Sequence, residues 1–156
     1  MGVRLRIMGG LFIGLILAGC SADYGVDQHG KKVSASSLDG QWLVINYWAD
    51  WCPPCRKEVP EFNRLVKEQQ GKSLRVLGVN YDGLRDAELS KAVDDLGIEY
   101  TVLADDPAKR FDLPHSEALP VTFIVDPKGK MRERLLGEQT AAGVQARLAQ
   151  LQQEEH

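Results

Sequence analysis

Residues 46–60 read NYWADWCPPCRKEVP, and residues 43–45 directly before them read LVI. The apolar run predicts a buried strand, and the change of pattern at Cys52 predicts that a helix begins there. Pro53 favours a first helical turn, because the N–H that proline lacks would have no partner within that turn. We therefore expect Cys52 at the N-terminus of a helix, with Cys55 one turn further along the same side.

Two cysteines placed in this way suit thiol–disulfide exchange. A helix N-terminus carries partial positive charge and free N–H donors, which favour the nucleophilic thiolate of Cys52. Cys55 should lie deeper and keep its proton longer. We expect the more exposed sulfur of Cys52 to attack a partner disulfide and Cys55 to resolve the mixed disulfide that results.

A cysteine pair can also bind zinc or form a purely structural bridge. Structural zinc needs four ligands. The chain has three Cys and three His, and the histidines, at positions 29, 115 and 156, show no ligand spacing. A structural bridge between residues 52 and 55 would close a very short loop and so stabilise the fold little. We expect no metal site.

Length and composition indicate one ordinary globular domain. The chain has 156 residues, 44% hydrophobic and 26% charged, and a formal net charge of −3. This is long enough for a substantial core. The sequence has no basic run and no interleaving of basic with aromatic residues, which argues against nucleic-acid binding.

Residues 1–19 are predicted to be a lipoprotein signal peptide. A short basic stretch precedes an uncharged, largely apolar run at residues 7–18. Its twelve residues are few for a membrane span, which needs about twenty. The run ends in Leu17-Ala18-Gly19-Cys20, which resembles a bacterial lipobox and implies cleavage before Cys20 and lipidation of it. The alternative is an uncleaved anchor in which Cys20 is idle. In either case residues 20–156 form the domain, tethered outside the cytoplasm.

The rest of the sequence predicts an ordered series of helices and strands. Val26 and Val33 flank a turn in the N-terminal extension, which we expect to be a small hairpin or irregular. After the cysteine pair we expect a helix over 56–70 with Gly71 as its C-cap, a strand over 74–79 and a helix over 86–96. A strand over 100–103, a helical turn over 106–111, hairpin strands over 121–125 and 131–136, and a helix over 140–152 should follow. Parallel strands joined by helices, followed by an antiparallel pair, indicate an α/β fold with a central mixed β-sheet flanked by helices.

The segment Trp51-Cys52-Pro53-Pro54-Cys55 resembles the active site of the thioredoxin superfamily. Pro60 matches the proline within the first active-site helix of that fold, and residues 119–126, LPVTFIVD, resemble the segment that carries the family's cis-proline. Together with the N-terminal segment, this makes the chain similar to the extracytoplasmic TlpA/ResA-like group of membrane-anchored thiol–disulfide oxidoreductases. The resemblance covers roughly residues 24–152 and implies a thioredoxin-like fold.

The same resemblance implies a docking surface for clients. The Leu119–Pro120 peptide bond should be cis and lie opposite the cysteine pair. A client backbone would then dock against it, with Trp51, Pro53 and Pro54 lining the surface.

Two departures from the thioredoxin pattern concern proton transfer and partner choice. Cytoplasmic thioredoxins have a buried Asp where this chain has Asn46, which cannot take a proton. Relatives often place a carboxylate in the loop after the next strand, so Asp82 is a possible proton acceptor; it is equally consistent with a solvated turn residue. The stretch before the cis-proline, residues 114–118, looks longer than usual, and loops beside a site set partner choice. His115 within it is expected to be a solvated loop residue.

The resemblance implies a reductase of protein disulfides at the periplasmic face of a bacterial membrane. It would act on disulfide-bearing client proteins as a monomer, receive electrons from a membrane donor of the DsbD/CcdA type, and need no cofactor. Two alternatives remain open. One is a thiol peroxidase on the same fold, although Ala49 stands where peroxiredoxins have threonine. The other is a non-catalytic dithiol metal chaperone.

Overall fold

The computed structural model describes residues 22–154. The predicted signal peptide, residues 1–19, and the predicted lipidation site, Cys20, lie outside this part of the chain. The elements in order are α1 Ala35–Leu38, β1 Trp42–Trp48, α2 Pro53–Glu68, β2 Leu74–Asn80, α3 Asp86–Leu96, β3 Thr101–Leu103, α4 Ala108–Phe111, β4 Val121–Val125, β5 Met131–Leu136 and α5 Ala141–Gln153.

Five strands form one mixed sheet in the order β3-β2-β1-β4-β5. β1 pairs in parallel with β2, and β2 with β3, while β4 pairs antiparallel with both β1 and β5. The two parallel connections run through α2 and α3, and the antiparallel pair β4–β5 ends the sheet. This is the predicted thioredoxin-like architecture, and it places the C-terminal ends of β1 and β2 side by side.

β1 is the central strand, and all seven of its residues are buried. Alternate side chains enter two different core clusters, because successive residues of a strand point to opposite faces of the sheet. Val44 and Trp48 pack in the cluster that includes residues of α2, α3 and α5. Ile45 and Tyr47 pack in the cluster that includes residues of α1 and α4. A strand covered on both faces explains the continuous apolar run from which it was predicted.

α2 begins as the sequence predicts. Cys52 is its N-cap, and Pro53 is the first helical residue. The Sγ atom of Cys52 accepts a hydrogen bond of 3.3 Å from the backbone N–H of Cys55. Pro60 lies inside the helix. The N-terminus of α2 therefore meets the C-terminal end of β1 at the cysteine pair.

The structure corrects two details of the sequence reading. The short helix α1 was not predicted, and Gly71 is not the C-cap of α2, which ends at Glu68 with Gln69 as its cap. Gly71 instead has φ +77° in the turn that follows, a conformation that favours glycine. The N-terminal extension forms a bridge between Val26 and Lys32, close to the predicted hairpin.

Candidate functional site

Cys52 and Cys55 form a disulfide at the N-terminus of α2, with their Cα atoms 5.3 Å apart. Both residues are buried: 3% of Cys52 and 1% of Cys55 is exposed. Cys52 is the slightly more exposed residue of the two, and the difference is small in the oxidised form. What distinguishes the two cysteines is the helix, since Cys52 is the N-cap and Cys55 lies within the first turn.

The surface beside Cys52 is built from the residues that precede and follow it. Trp51 is 61% exposed, an unusual exposure for so large an apolar side chain, and its indole Nε1–H donates a 2.7 Å hydrogen bond to Oδ2 of Asp82. Pro53 is exposed and Pro54 half-buried. The loop that follows β2 thus holds the indole next to the cysteine pair.

The Leu119–Pro120 peptide bond is cis, as the resemblance implied. The backbone N–H of Gly137 donates a 2.9 Å hydrogen bond to the carbonyl oxygen of Pro120. Leu119 is half-buried and packs against the core cluster that contains Cys52 and Cys55. Within residues 22–154, no hydrogen bond engages the backbone N–H or carbonyl of Leu119. Those groups remain available to an approaching chain.

A buried polar network lies beneath the cysteine pair. Asn46 donates from Nδ2 to Oε1 of Glu58 at 2.6 Å and to Oγ1 of Thr122 at 3.2 Å. The backbone N–H of Gln139 donates to the other carboxyl oxygen of Glu58 at 3.1 Å. The Tyr100 hydroxyl donates to Oδ1 of Asn46 at 3.5 Å. The network joins α2 to β1, β4 and the loop before α5.

Glu58 is fully buried, with 0% of its surface exposed. Burial disfavours the charged form and raises the pKa of this carboxyl to about 7, although the hydrogen bonds from Gln139 and Asn46 oppose the shift. Glu58 follows Cys55 by three positions on α2, and residues three apart on a helix have Cβ atoms about 5–6 Å apart. A buried carboxyl that titrates near neutral pH is a candidate proton carrier.

Sequence reasoning missed Glu58 and proposed Asp82 instead. Asp82 is exposed and accepts the Trp51 indole N–H, so it lacks the burial that a proton acceptor for Cys55 would need. The signal for Glu58 was present in the helical stripe of α2, in which Cys55, Glu58, Val59 and Phe62 are all buried. A charged residue on an inward-facing stripe is almost never fully buried unless it is paired, so this position indicates that Glu58 has partners but does not identify them.

Three further features concern Trp48, metal binding and membrane crossing. Trp48 is 1% exposed and belongs to the core. Across residues 22–154, no group of three or more His, Cys, Asp or Glu side chains is arranged to hold a metal ion. In the same part of the chain, no helix has the length and apolar character needed to cross a membrane.

Comparisons with known proteins agree with this geometry. The model of the AhpC/TSA family matches residues 18–134. The thiol-disulfide oxidoreductase ResA of Bacillus thuringiensis is 32% identical over 114 residues, which are 73% of this chain and 65% of the relative. The chain thus spans a little under two thirds of the length of that curated relative.

The similar solved structures include the following two. A DsbF homologue from Corynebacterium diphtheriae superposes with a TM-score of 0.66 and 25% identity, covering 81% of this chain and 82% of that one. A secreted thiol-disulfide isomerase from Corynebacterium glutamicum gives a TM-score of 0.63 and 26% identity, covering 78% of each chain.

Proposed function

Because the chain belongs to the AhpC/TSA family and holds Cys52 and Cys55 as a redox pair at the N-terminus of α2, we propose that it is a thiol–disulfide oxidoreductase that reduces disulfides in client proteins. The observation behind the proposal is the pair itself: Cys52 caps the N-terminus of α2, and Cys55 lies one helical turn before the buried carboxyl of Glu58. The similarity to ResA, an oxidoreductase of this type by name, supports it.

The reaction begins with the reduced pair. The thiolate of Cys52 attacks one sulfur of the client disulfide, a mixed disulfide forms, and the first client sulfur leaves as a thiolate. The helix N-terminus stabilises the attacking thiolate through its partial positive charge and N–H donors. The first client thiolate takes up a proton from solvent.

The second step closes the enzyme disulfide. Cys55 loses its proton and attacks Sγ of Cys52, and the second client sulfur leaves. Two electrons have then passed to the client, and Cys52 and Cys55 are joined. We assign the proton acceptor for Cys55 to Glu58, one turn further along α2, because its pKa of about 7 leaves a substantial fraction ionised at neutral pH.

The client backbone is positioned by Leu119. Its free N–H and carbonyl can pair with an extended client segment, a form of strand addition. Trp51, Pro53 and Pro54 complete the docking surface on the other side of Cys52. This mode of binding depends mainly on backbone groups, which suits an enzyme with several clients.

We propose that the protein acts outside the cytoplasm, anchored through lipid on Cys20 after removal of residues 1–19. An oxidising compartment requires that electrons reach the cysteine pair from elsewhere, and a membrane donor of the DsbD/CcdA type would supply them. The similarity to a secreted isomerase supports this location. The intact mass of protein extracted from membranes should correspond to a chain that begins at lipidated Cys20, and a free Cys20 thiol would contradict it.

A turnover assay tests the activity. With dithiothreitol as reductant, the protein should accelerate reduction of a protein disulfide such as that of insulin, and it should show no comparable turnover of hydrogen peroxide. Rapid peroxide turnover without disulfide reduction would favour the peroxidase alternative. Tight stoichiometric metal binding by the reduced protein without reductase activity would favour the metal chaperone.

A further inference from the structure

A cavity of about 320 Å³ lies on the face of the sheet opposite α2. Its inner wall is formed by Tyr47, Val121 and Phe123, which belong to the strands β1 and β4. Its outer wall comes from the chain between β3 and β4, including Leu113 and Pro114. The buried polar network around Glu58 lies on the other face, so this cavity is not part of the proton-transfer site.

Two residues of the cavity wall are direct chain neighbours of residues at the exchange site. Val121, in its wall, directly follows Pro120 of the cis peptide bond. Tyr81, also in its wall, directly precedes Asp82, whose carboxylate holds the indole of Trp51 beside Cys52. A client segment bound at the cysteine pair therefore passes close to the cavity.

The size and walls of the cavity suit one side chain. Ligand pockets in proteins usually span about 300–1,000 Å³, so this cavity is at the small end of the range. Val121 and Phe123 are 1% exposed and Leu113 9%, and they give it an apolar interior. At its mouth the rings of Tyr81 and His115 lie 6.0 Å apart. A large or aromatic apolar side chain would fit within it.

The rim of the cavity is acidic. Oδ1 of Asp106 accepts the Tyr47 hydroxyl at 2.6 Å and the backbone N–H of Ala108 at 2.8 Å, while Oδ2 has no hydrogen bond to any residue of the described chain. Glu117 and Asp82 are also exposed, and each directly follows a residue of the cavity wall in the sequence. Within residues 22–154, no lysine or arginine forms an ion pair with any of these three carboxylates. One cation lies at the wall, since Arg134 donates a 2.9 Å hydrogen bond to Oγ of Ser116. Three carboxylates against one guanidinium still favour a positively charged client segment.

We propose that this cavity is a specificity subsite for the client: it takes one bulky apolar side chain, and Asp106 at its rim binds a lysine or arginine next to that side chain. The inference rests on the proposed reductase function and adds to it the kind of client segment that is preferred. In an extended chain every second side chain points to the same face, so a segment paired with Leu119 can place one residue in the cavity.

Peptide disulfides of defined sequence test the subsite. Each peptide carries one cysteine in disulfide linkage to glutathione, with Phe or Ala scanned through three positions on either side and with Lys or Glu beside the scanned residue. The kcat/KM for reduction is divided by that for oxidised glutathione, which contains neither Phe nor Lys. At one position the Phe–Lys peptide should be reduced about 10-fold faster than its Ala–Lys counterpart, as expected for one well-buried apolar group.

Variants of the cavity connect that preference to its walls. Ala108→Leu, which fills the cavity from α4, and Pro114→Trp, at an exposed part of the wall, should each remove the preference for Phe. Asp106→Asn should retain the preference for Phe and lose the preference for Lys over Glu. Ala142→Leu, which adds the same atoms on the exposed side of α5, should leave both preferences as in the unmodified protein.

The possible failures are distinguishable. Equal normalised rates for all peptides, or a preference for Phe that survives in both cavity-filling variants, would overturn the subsite and leave the reductase function intact. Absence of reduction of both glutathione disulfide and every peptide would overturn the reductase function and the subsite with it.

Discussion

Two carboxylates flank the cysteine pair in opposite surroundings. Glu58 lies inside the protein on α2, with no exposed surface and hydrogen bonds from Asn46 and from the backbone of Gln139. Asp82 lies in the exposed loop after β2, where it accepts a single hydrogen bond from the Trp51 indole. The two are the same functional group at the same site.

Their difference in burial assigns them different tasks. Burial raises the pKa of Glu58 to about 7, so this carboxyl can exchange a proton with a thiol near neutral pH. Asp82 is solvated and fixes the orientation of a large exposed ring. The buried Glu58 is therefore assigned to proton transfer, and the exposed Asp82 is assigned to positioning the docking surface.

Glu58→Gln should have the largest effect. It preserves the shape of the side chain and removes the proton acceptor, and general acid–base groups typically contribute about 10²–10⁴-fold to rate. The reaction of Cys55 with the mixed disulfide should slow by about 10²-fold or more, measured by stopped flow on a preformed mixed disulfide. The rate in the unmodified protein should also rise with pH through about 7, and this inflection should be absent in the variant.

Asp82→Asn is the matched control for that measurement. It makes the same chemical change at the exposed carboxylate. If Asp82→Asn slowed the resolving step more than Glu58→Gln, the sequence-based assignment of Asp82 as proton acceptor would be correct and the assignment to Glu58 wrong.

The sequence was sufficient for most of the fold and for the cysteine pair, because their signals are local. The boundaries predicted for α3, β4 and β5 coincide with those of the structure, since each is marked by an apolar pattern and by turn residues at its ends. The burial of Glu58 was not predicted, because its hydrogen-bond partners Asn46 and Gln139 are 12 and 81 residues away along the chain. No local pattern reveals partners that only the fold brings together.

The stability of the oxidised protein should depend on pH through Glu58. Its pKa is 4.5 ordinarily and about 7 in the fold. Between these values the unfolded chain releases a proton that the folded chain retains, so the free energy of unfolding falls as pH rises. The unmodified protein should lose about 3 kcal/mol relative to Glu58→Gln between pH 4 and pH 8, measured by urea denaturation. Parallel stability profiles for the two proteins would contradict the raised pKa.

Gly78→Ala should destabilise the buried region around Asn46 and leave the loop that contains Asp82 unchanged. Gly78 pairs with Asn46 in the sheet. A Cβ atom there would lie 2.9 Å from Cγ2 of Val102, 3.0 Å from Cε2 of Tyr100 and 3.1 Å from Nε1 of Trp48. Overpacking of a core typically costs about 1–3 kcal/mol, and we expect a loss of that size in the free energy of unfolding. A variant as stable as the unmodified protein would show that this region is less tightly packed than the distances indicate.

Asp82→Asn should have the smallest effect on stability. An exposed hydrogen bond contributes at most about 1 kcal/mol, and an asparagine oxygen can still accept the Trp51 indole N–H. We expect a change within about 0.5 kcal/mol in urea denaturation. A much larger loss would indicate that the loop contributes to the core of the site rather than only to its surface.

Trapping of the mixed disulfide shows whether Cys52 attacks the client and Cys55 resolves the intermediate. Reduced Cys55→Ser and Cys52→Ser proteins are mixed with a protein disulfide, quenched with acid and analysed by intact mass. We expect Cys55→Ser to accumulate a mixed disulfide through Cys52 and Cys52→Ser to accumulate almost none. A stable mixed disulfide through Cys55 in the Cys52→Ser protein, and none in Cys55→Ser, would contradict it.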